Sequence, residues 1–376
     1  MRTINLALQG GGSHGAFTWG VLDALLADPR IEIEGLSGTS AGAVNAVVLA
    51  SGYASALVAG QEPRQGAQTA LARLWRTIGS WDALGSWQRQ WARLLWGGAT
   101  PQLAREWLSR TVGGTLSPYQ ANPFNVNPLR DLLHDQVDFA AVAAGPLKVF
   151  AAATHVPTGR SVIFTGARLD AAAVLASACL PQLFKAVEIE GEPYWDGGYS
   201  ANPALTPLIQ NCGSADLMLV QINPLRVAGT PQTPGDIDDR VNELTFNASL
   251  LTQMRTIESV NVLLAQGALR SPDFKTVRMH RIDGGQEIRD FPGSSRTSTD
   301  TAMIDALFHM GQQAATHWLG QRYDALGRHS TVDIRSDYLD DTWLRPAEPT
   351  DVARAAMPHA FRPWLAQLLR RRRQRK

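Results

Sequence analysis

A serine set between two glycines, Gly38-Thr39-Ser40-Ala41-Gly42, is where this chain is best equipped for covalent chemistry. It follows the short apolar run 31–37 and precedes an alanine- and valine-rich stretch with helical spacing. A G-x-S-x-G segment between a strand and a helix has the context of a nucleophile elbow. Gly38 and Gly42 let the backbone turn sharply, and the turn lifts the Ser40 hydroxyl to the mouth of a sheet. The N–H of Ala41 then points to where an oxyanion would form. The same residues also suit a plain small-residue turn, so the case for chemistry depends on what else arrives there.

Two further segments bear on it. Gln9-Gly10-Gly11-Gly12-Ser13-His14-Gly15-Ala16 follows the apolar run Ile4–Leu8, and Phe17, Val21, Leu22 and Leu25 continue at helical spacing. Backbone N–H groups in a strand-to-helix turn form an anion site, helped by the helix N-terminus. A phosphate-binding loop would end in Gly-Lys-Ser/Thr, which is absent. A dinucleotide fingerprint needs spaced glycines and an acidic residue on the ribose; Glu32 or Glu34 could be forced into that role, but three consecutive glycines fit it poorly. The other segment is Tyr194-Trp195-Asp196-Gly197-Gly198-Tyr199, with Asn202-Pro203 just beyond. An Asp before two glycines sits on a turn, and alone it reads as an ordinary Asp-Gly turn.

Together the three segments resemble the patatin-like phospholipase family, over about residues 4–222. The resemblance implies a glycine-rich oxyanion loop, then a G-x-S-x-G serine, then an Asp-Gly-Gly aspartate, with serine and aspartate forming a dyad that needs no histidine. Ser177-Ala178-Cys179-Leu180-Pro181-Gln182-Leu183-Phe184 is similar to the segment that lies between them in the family. It assigns Ser40 as nucleophile, Asp196 as its base, and the N–H groups of Gly11, Gly12 and Ala41 as the oxyanion hole. Gly10, Gly38, Gly42, Gly197 and Gly198 become the turn glycines. One departure matters: the family usually has Arg or Lys where this chain has His14, so a fixed charge beside the oxyanion gives way to a group that ordinarily titrates near neutrality. His14 is expected to tune the site, not to move a proton. No metal-ligand cluster is visible, the eight histidines being scattered, and no metal or cofactor is expected.

The implied reaction is ester hydrolysis. A carboxylate with a pKa near 4 is a weak base for a serine, so proton transfer must accompany attack in a site that excludes water. An acyl chain in an apolar groove would supply that exclusion, which makes lipid esters the natural substrates and phospholipids, by resemblance, the first of them. One rival is an α/β-hydrolase esterase with a Ser-Asp-His triad, for which His280, His309, His317, His329 and His359 follow Asp196. Its nucleophile normally comes after several strands, whereas Ser40 follows about the second. The other rival is a non-catalytic lipid- or granule-binding protein that keeps the fold.

These residues need elements to hold them. The chain has 376 residues, 44% hydrophobic and 18% charged, enough apolar material for a sizeable core. A net charge of +1 gives no bulk attraction to nucleic acid, and none is expected as a partner. Cys179 and Cys212 do not make a disulfide scaffold. No secretory pattern opens the chain and no run of some 18 apolar residues is apparent, so a cytoplasmic protein, or one peripheral to the inner face of the membrane, is expected.

Residues 4–8 and 31–37 read as strands, each feeding a helix through a glycine-rich turn. That repetition predicts an α/β layered fold with a mainly parallel central sheet flanked by helices. Residues 148–154 and 160–165 read as a hairpin, 169–178 as a short helix and 216–222 as a buried strand. This catalytic domain is placed at 1–226. Within it, 66–110 reads as a Trp-rich helical insertion. Five tryptophans between Trp75 and Trp96 suit either ordinary packing or a lid over an acyl chain. Residues 227–240 read as a Pro/Gly/Asp-rich linker. A mostly helical C-terminal extension is placed at 241–345, with helices at 242–267 and 299–319 and a strand at 275–282. Asn242–Leu250 and Thr331–Ile334 resemble an extension carried by a bacterial subset of the family. The tail, 346–376, puts Trp364 and leucines before six cations and reads as a segment for an anionic membrane surface, a solvated end or a nucleic-acid patch.

Overall fold

The computed structural model describes residues 1–95 and 117–339, apart from 123–124, 126, 228, 271–273, 286–287, 289–290, 292–294 and 297. The far part of the Trp-rich insertion, His359 and the basic tail lie outside the described residues.

Eight strands among them make one sheet: β1 (Arg2–Leu8), β2 (Ile31–Thr39), β3 (Lys148–His155), β4 (Ser161–Thr165), β5 (Val187–Ile189), β6 (Glu192–Asp196), β7 (Asp216–Gln221) and β8 (Arg278–Asp283). Their order is β5-β6-β3-β2-β1-β7-β8, with β4 paired to β3. The middle is parallel, β1 with β2 and β7, β2 with β3, and β7 with β8. Antiparallel pairing occurs in β3–β4, β3–β6 and β5–β6.

Six helices matter to the site: α1 (Gly15–Ala27), α2 (Ala41–Val58), α3 (Pro63–Leu95), α4 (Ala171–Ser177), α5 (Pro234–Ala265) and α6 (Thr301–Arg322). Alternation along the strands sends side chains to two cores. Ile4, Leu6 and Leu8 of β1 and Met218 and Val220 of β7 pack with Phe17 and Leu22 of α1, Val47 of α2 and Leu307 of α6. Ala7, Leu217 and Leu219 face the other way, toward Leu208, Leu250 and Met254. Coverage on both faces explains why β7 reads as a continuous apolar run. Each fully buried large side chain contributes about 1.5–3 kcal/mol.

The hairpin and the buried strand at 216–222 fall where the sequence places them. Three expectations change. The second half of the expected linker is the first two turns of α5, which starts at Pro234 with the Thr233 hydroxyl accepting from the Asp236 N–H at 3.2 Å. β8 joins the central sheet beside β7, so the C-terminal segment supplies a strand as well as helices. And α2 is an 18-residue helix apolar enough in composition to cross a membrane, although the sequence reading found no such run; 67% of that stretch is buried inside the fold. Helix α6 lies on α1 at close range: a Cβ on Gly20 would stand 1.9 Å from the Phe308 carbonyl oxygen, and one on Gly311 2.1 Å from that of Phe17. Of the five tryptophans, Trp75 is a core residue, 3% exposed, its indole N–H donating to Asn45 Oδ1 at 3.0 Å.

Candidate active site

Ser40 sits between the end of β2 and the start of α2 with φ 55° and ψ −125°, a conformation that side chains rarely adopt. Such backbone costs about 1–3 kcal/mol and persists only where its surroundings impose it. The surroundings here are close. A Cβ at Gly38 would lie 2.3 Å from the Gly42 carbonyl oxygen, and one at Gly42 would lie 2.2 Å from that of Leu8. Glycine is needed at both positions for space. The Ser40 N–H donates to the Ser177 hydroxyl at 3.0 Å, and Ser177 at the end of α4 is fully buried. Thr39 Oγ1 donates to the Ala201 carbonyl at 2.7 Å, tying the elbow to the segment after Asp196.

Asp196 ends β6, paired with Ala153 of β3, and is 1% exposed. Its N–H donates to the Cys179 carbonyl at 2.8 Å and its carbonyl accepts from Thr154 Oγ1 at 2.8 Å. The carboxyl Oδ1 accepts from the Gly198 N–H at 2.7 Å. Burial pushes its pKa up to about 7, against the lowering effect of the Gly198 N–H and of the Ser40 hydroxyl. Oδ2 has no hydrogen-bond partner of good geometry, so the Ser40 contact is loose, as it often is in catalytic pairs without substrate. A Cβ at Gly197 would meet the Ala152 carbonyl oxygen at 2.0 Å and Thr39 Cγ2 at 2.9 Å, and one at Gly198 would meet the Phe246 ring at 1.9 Å. The aspartate turn is thus pressed between the sheet and α5.

The Gly10–Gly12 loop lies against the same elbow: a Cβ at Gly10 would be 2.7 Å from Ser40 Cβ. Gly10 is anchored through both its polar groups. Its N–H donates to Asn202 Oδ1 at 2.7 Å, and its carbonyl accepts from Asn223 Nδ2 at 2.7 Å. Among the described residues the N–H groups of Gly11, Gly12 and Ala41 have no hydrogen-bond partner. Three open donors beside a serine are what an oxyanion requires. Behind them the buried Gln9 side chain accepts from the N–H groups of Ile222 at 3.0 Å and Asn223 at 2.9 Å, and donates to the Asn202 carbonyl and Asn247 Oδ1, both at 3.3 Å. A fully satisfied buried network of this kind fixes geometry.

His14 does not behave as expected. It is 3% exposed, shares a 2.6 Å hydrogen bond with Ser295 Oγ, and meets the Phe291 ring edge-on at 6.0 Å. Burial first, and the Arg296 charge second, hold its pKa down at about 4. It is neutral at physiological pH and brings no charge to the loop.

The described histidines after Asp196 are engaged or exposed. His280 is fully buried between Asp216 Oδ1 at 3.0 Å and Thr331 Oγ1 at 3.1 Å, while His309, His317 and His329 are exposed. Cys179 is inert, its thiol pushed up to about 12 by burial and by the Asp196 charge.

Sequence reading picked out Ser40, Asp196 and the glycines, and missed the residues that hold them: Gln9, Ser177, Asn202, Asn223 and Asn247. The available signal was a buried amide beside a glycine loop, but its partners lie 193 to 238 residues away.

The family model described as patatin-like phospholipase matches residues 6–209, more than half of the chain, and the chain belongs to that family. No curated protein matches it significantly. Among solved structures, VipD from Legionella pneumophila matches with a TM-score of 0.39 and 15% identity, over 90% of this chain and 73% of that one. A likeness so distant says nothing about chemistry.

Proposed function

We propose that the chain is a serine acyl hydrolase of lipid esters, of phospholipase A type, working through a Ser40–Asp196 dyad. The observation that carries the reading is the pairing of a strained, half-buried serine with a buried carboxyl whose second oxygen is left without a partner. Ser40 Oγ attacks the ester carbonyl and Asp196 takes its proton. The oxyanion is held by the N–H groups of Gly11, Gly12 and Ala41, each worth about 2.7–4 kcal/mol on the pattern of comparable donors. Asp196 then returns the proton to the leaving alcohol, and water attacks the acyl-enzyme by the same route.

Burial answers the difficulty that a carboxylate is a weak base. A pKa of about 7 lies near the operating pH, where general base catalysis is most effective. The engaged or exposed state of the described histidines supports a dyad over a triad. Labelling by a fluorophosphonate probe and an ester screen over chain length, on wild type and Ser40→Ala, test the reading. A wild-type protein that neither labels nor hydrolyses any ester would reject it in favour of a lipid-binding role.

The C-terminal tail is proposed as a peripheral contact for the anionic inner face of the membrane. Its six cations, at about 1 kcal/mol each near such a surface, support that reading. Equal co-sedimentation of full-length protein and a form lacking 358–376 with anionic vesicles would refute it.

A further inference from the structure

We propose that Arg296, brought to the glycine loop by the C-terminal segment, binds substrate and selects esters that carry a phosphate beside the scissile acyl group. This deepens the hydrolase reading and rests on it.

The position of Arg296 is set by contact with the loop itself. A Cβ on Gly12 would lie 2.1 Å from the Arg296 carbonyl oxygen and 3.4 Å from its Cβ. Gly12 is at φ +59°, and the Arg296 backbone fills the side of it that a side chain would occupy. The neighbouring Ser295 holds His14. The guanidinium reaches Glu243 of α5, one turn before Phe246 and Asn247, and lies near enough to His14 to disfavour a second positive charge there. With His14 neutral, Arg296 is the cation of the glycine loop among the described residues.

Its partners leave it with capacity to spare. Nη2 reaches Glu243 Oε1 at a long 3.4 Å, while the other oxygen of Glu243 takes Arg240 at 3.1 Å. Asp239 adds a more distant negative charge. Nε is buried and has no hydrogen-bond partner. A buried donor left unmade is costly, and a planar guanidinium fork suits phosphate oxygens. A phosphate that took the weakly held guanidinium from Glu243 and met the loop N–H groups as well would be held next to the ester that Ser40 attacks. A neutral ester would gain nothing from Arg296.

The test uses the full chain and two soluble substrates of equal acyl length: a dihexanoyl phospholipid below its micellar concentration and the matching phosphate-free diacylglycerol. Arg296→Gln should raise KM for the phospholipid roughly tenfold to a hundredfold, the range expected for a charge-assisted hydrogen bond, and leave the diacylglycerol within about threefold. Arg296→Lys, a point charge without the fork, should recover part of the loss. Equal losses on both esters, or none on the phospholipid, would overturn the proposal. Calorimetric titration with inorganic phosphate gives a readout that needs no hydrolysis: wild type should bind at least tenfold more tightly than Arg296→Gln, and equal affinity would overturn it. If Arg296→Gln fails to fold, Glu243→Gln carries the test with the opposite sign. Releasing the guanidinium should tighten phosphate binding, and unchanged or weaker binding would count against the assignment. Failure of the hydrolase reading itself would show differently, as a wild-type protein with no ester turnover and no labelling of Ser40.

Discussion

Asp196→Asn should abolish hydrolysis and at the same time stabilise the protein above neutrality. The carboxyl is 1% exposed, and burial moves its pKa from 3.8 to about 7. The sign follows from proton counting. Between those two values the unfolded chain has lost the Asp196 proton and the folded chain keeps it, so the folded state binds more protons and stability falls as pH rises. The cost is absent below pH 3.8, grows through the interval and is complete above about 7. The whole interval corresponds to about 4 kcal/mol, of which about 3 kcal/mol falls between pH 5 and pH 8. Asparagine keeps the shape and the acceptor for the Gly198 N–H and has no charge to desolvate. The difference in stability between variant and wild type should therefore widen by about 3 kcal/mol from pH 5 to pH 8, other titrating groups cancelling in the difference. For a chain of 376 residues, at about 2 °C per kcal/mol, the gap in melting temperature should widen by roughly 6 °C. Melting curves of both proteins at the two pH values measure it. Curves that stay parallel from pH 5 to pH 8 would show that Asp196 is ionised in the folded protein at both, and the case for a tuned base would fall with it.

Ser40→Ala should lose all hydrolysis and change stability by less than about 1 kcal/mol, whereas Ser40→Gly should melt higher than Ser40→Ala, since only glycine is at ease at φ 55° and ψ −125°; thermal melts of the pair decide it, and a lower-melting glycine variant would mean the elbow is not strained. Asn202→Ala strips the Gly10 N–H of its acceptor and should reduce kcat about tenfold to a hundredfold with a smaller effect on KM; a purely KM effect in steady-state kinetics would contradict a role in shaping the oxyanion loop. The pH profile of kcat/KM should rise through an apparent pKa of about 7 as Asp196 ionises, and His14, held at about 4, should add no inflection near neutrality; an inflection that disappears in His14→Ala would show the opposite.

The features legible in the sequence are those written within a few residues of one another. Apolar alternation located β1, β2 and β7, and glycines located the turns, because strand feeding helix through a tight turn is a local arrangement. The start of α5 was legible too and was missed: Thr233-Pro234 with Asp236 is a helix entry, with a capping hydroxyl and a proline in the first turn. Loop-like composition around it outweighed the signal. The pairing of β8 with β7 could not be read, because a parallel neighbour is chosen by the whole sheet and the two strands lie about 60 residues apart. The same holds for Arg296, which no local pattern distinguishes from other arginines, and for the neutrality of His14, which is set by burial beneath a segment some 280 residues further on.

That distribution of partners alters how the family domain is to be understood. The match to the family spans residues 6–209 and includes Ser40, Asp196 and every glycine of the turns. The residues that set their geometry are divided. Ser177 and Asn202 fall inside the matched region, but Asn223, Phe246, Asn247, Ser295 and Arg296 fall outside it. Asn223 grips the Gly10 carbonyl, Asn247 completes the Gln9 network, and Phe246 closes against Gly198 beside the Asp196 carboxyl. Ser295 and Arg296 cap His14 and Gly12. The burial that raises the Asp196 pKa is thus supplied in part by α5, and the neutrality of His14 by the segment before α6. The matched region carries the groups of the proposed dyad, and the C-terminal segment contributes part of the burial around them.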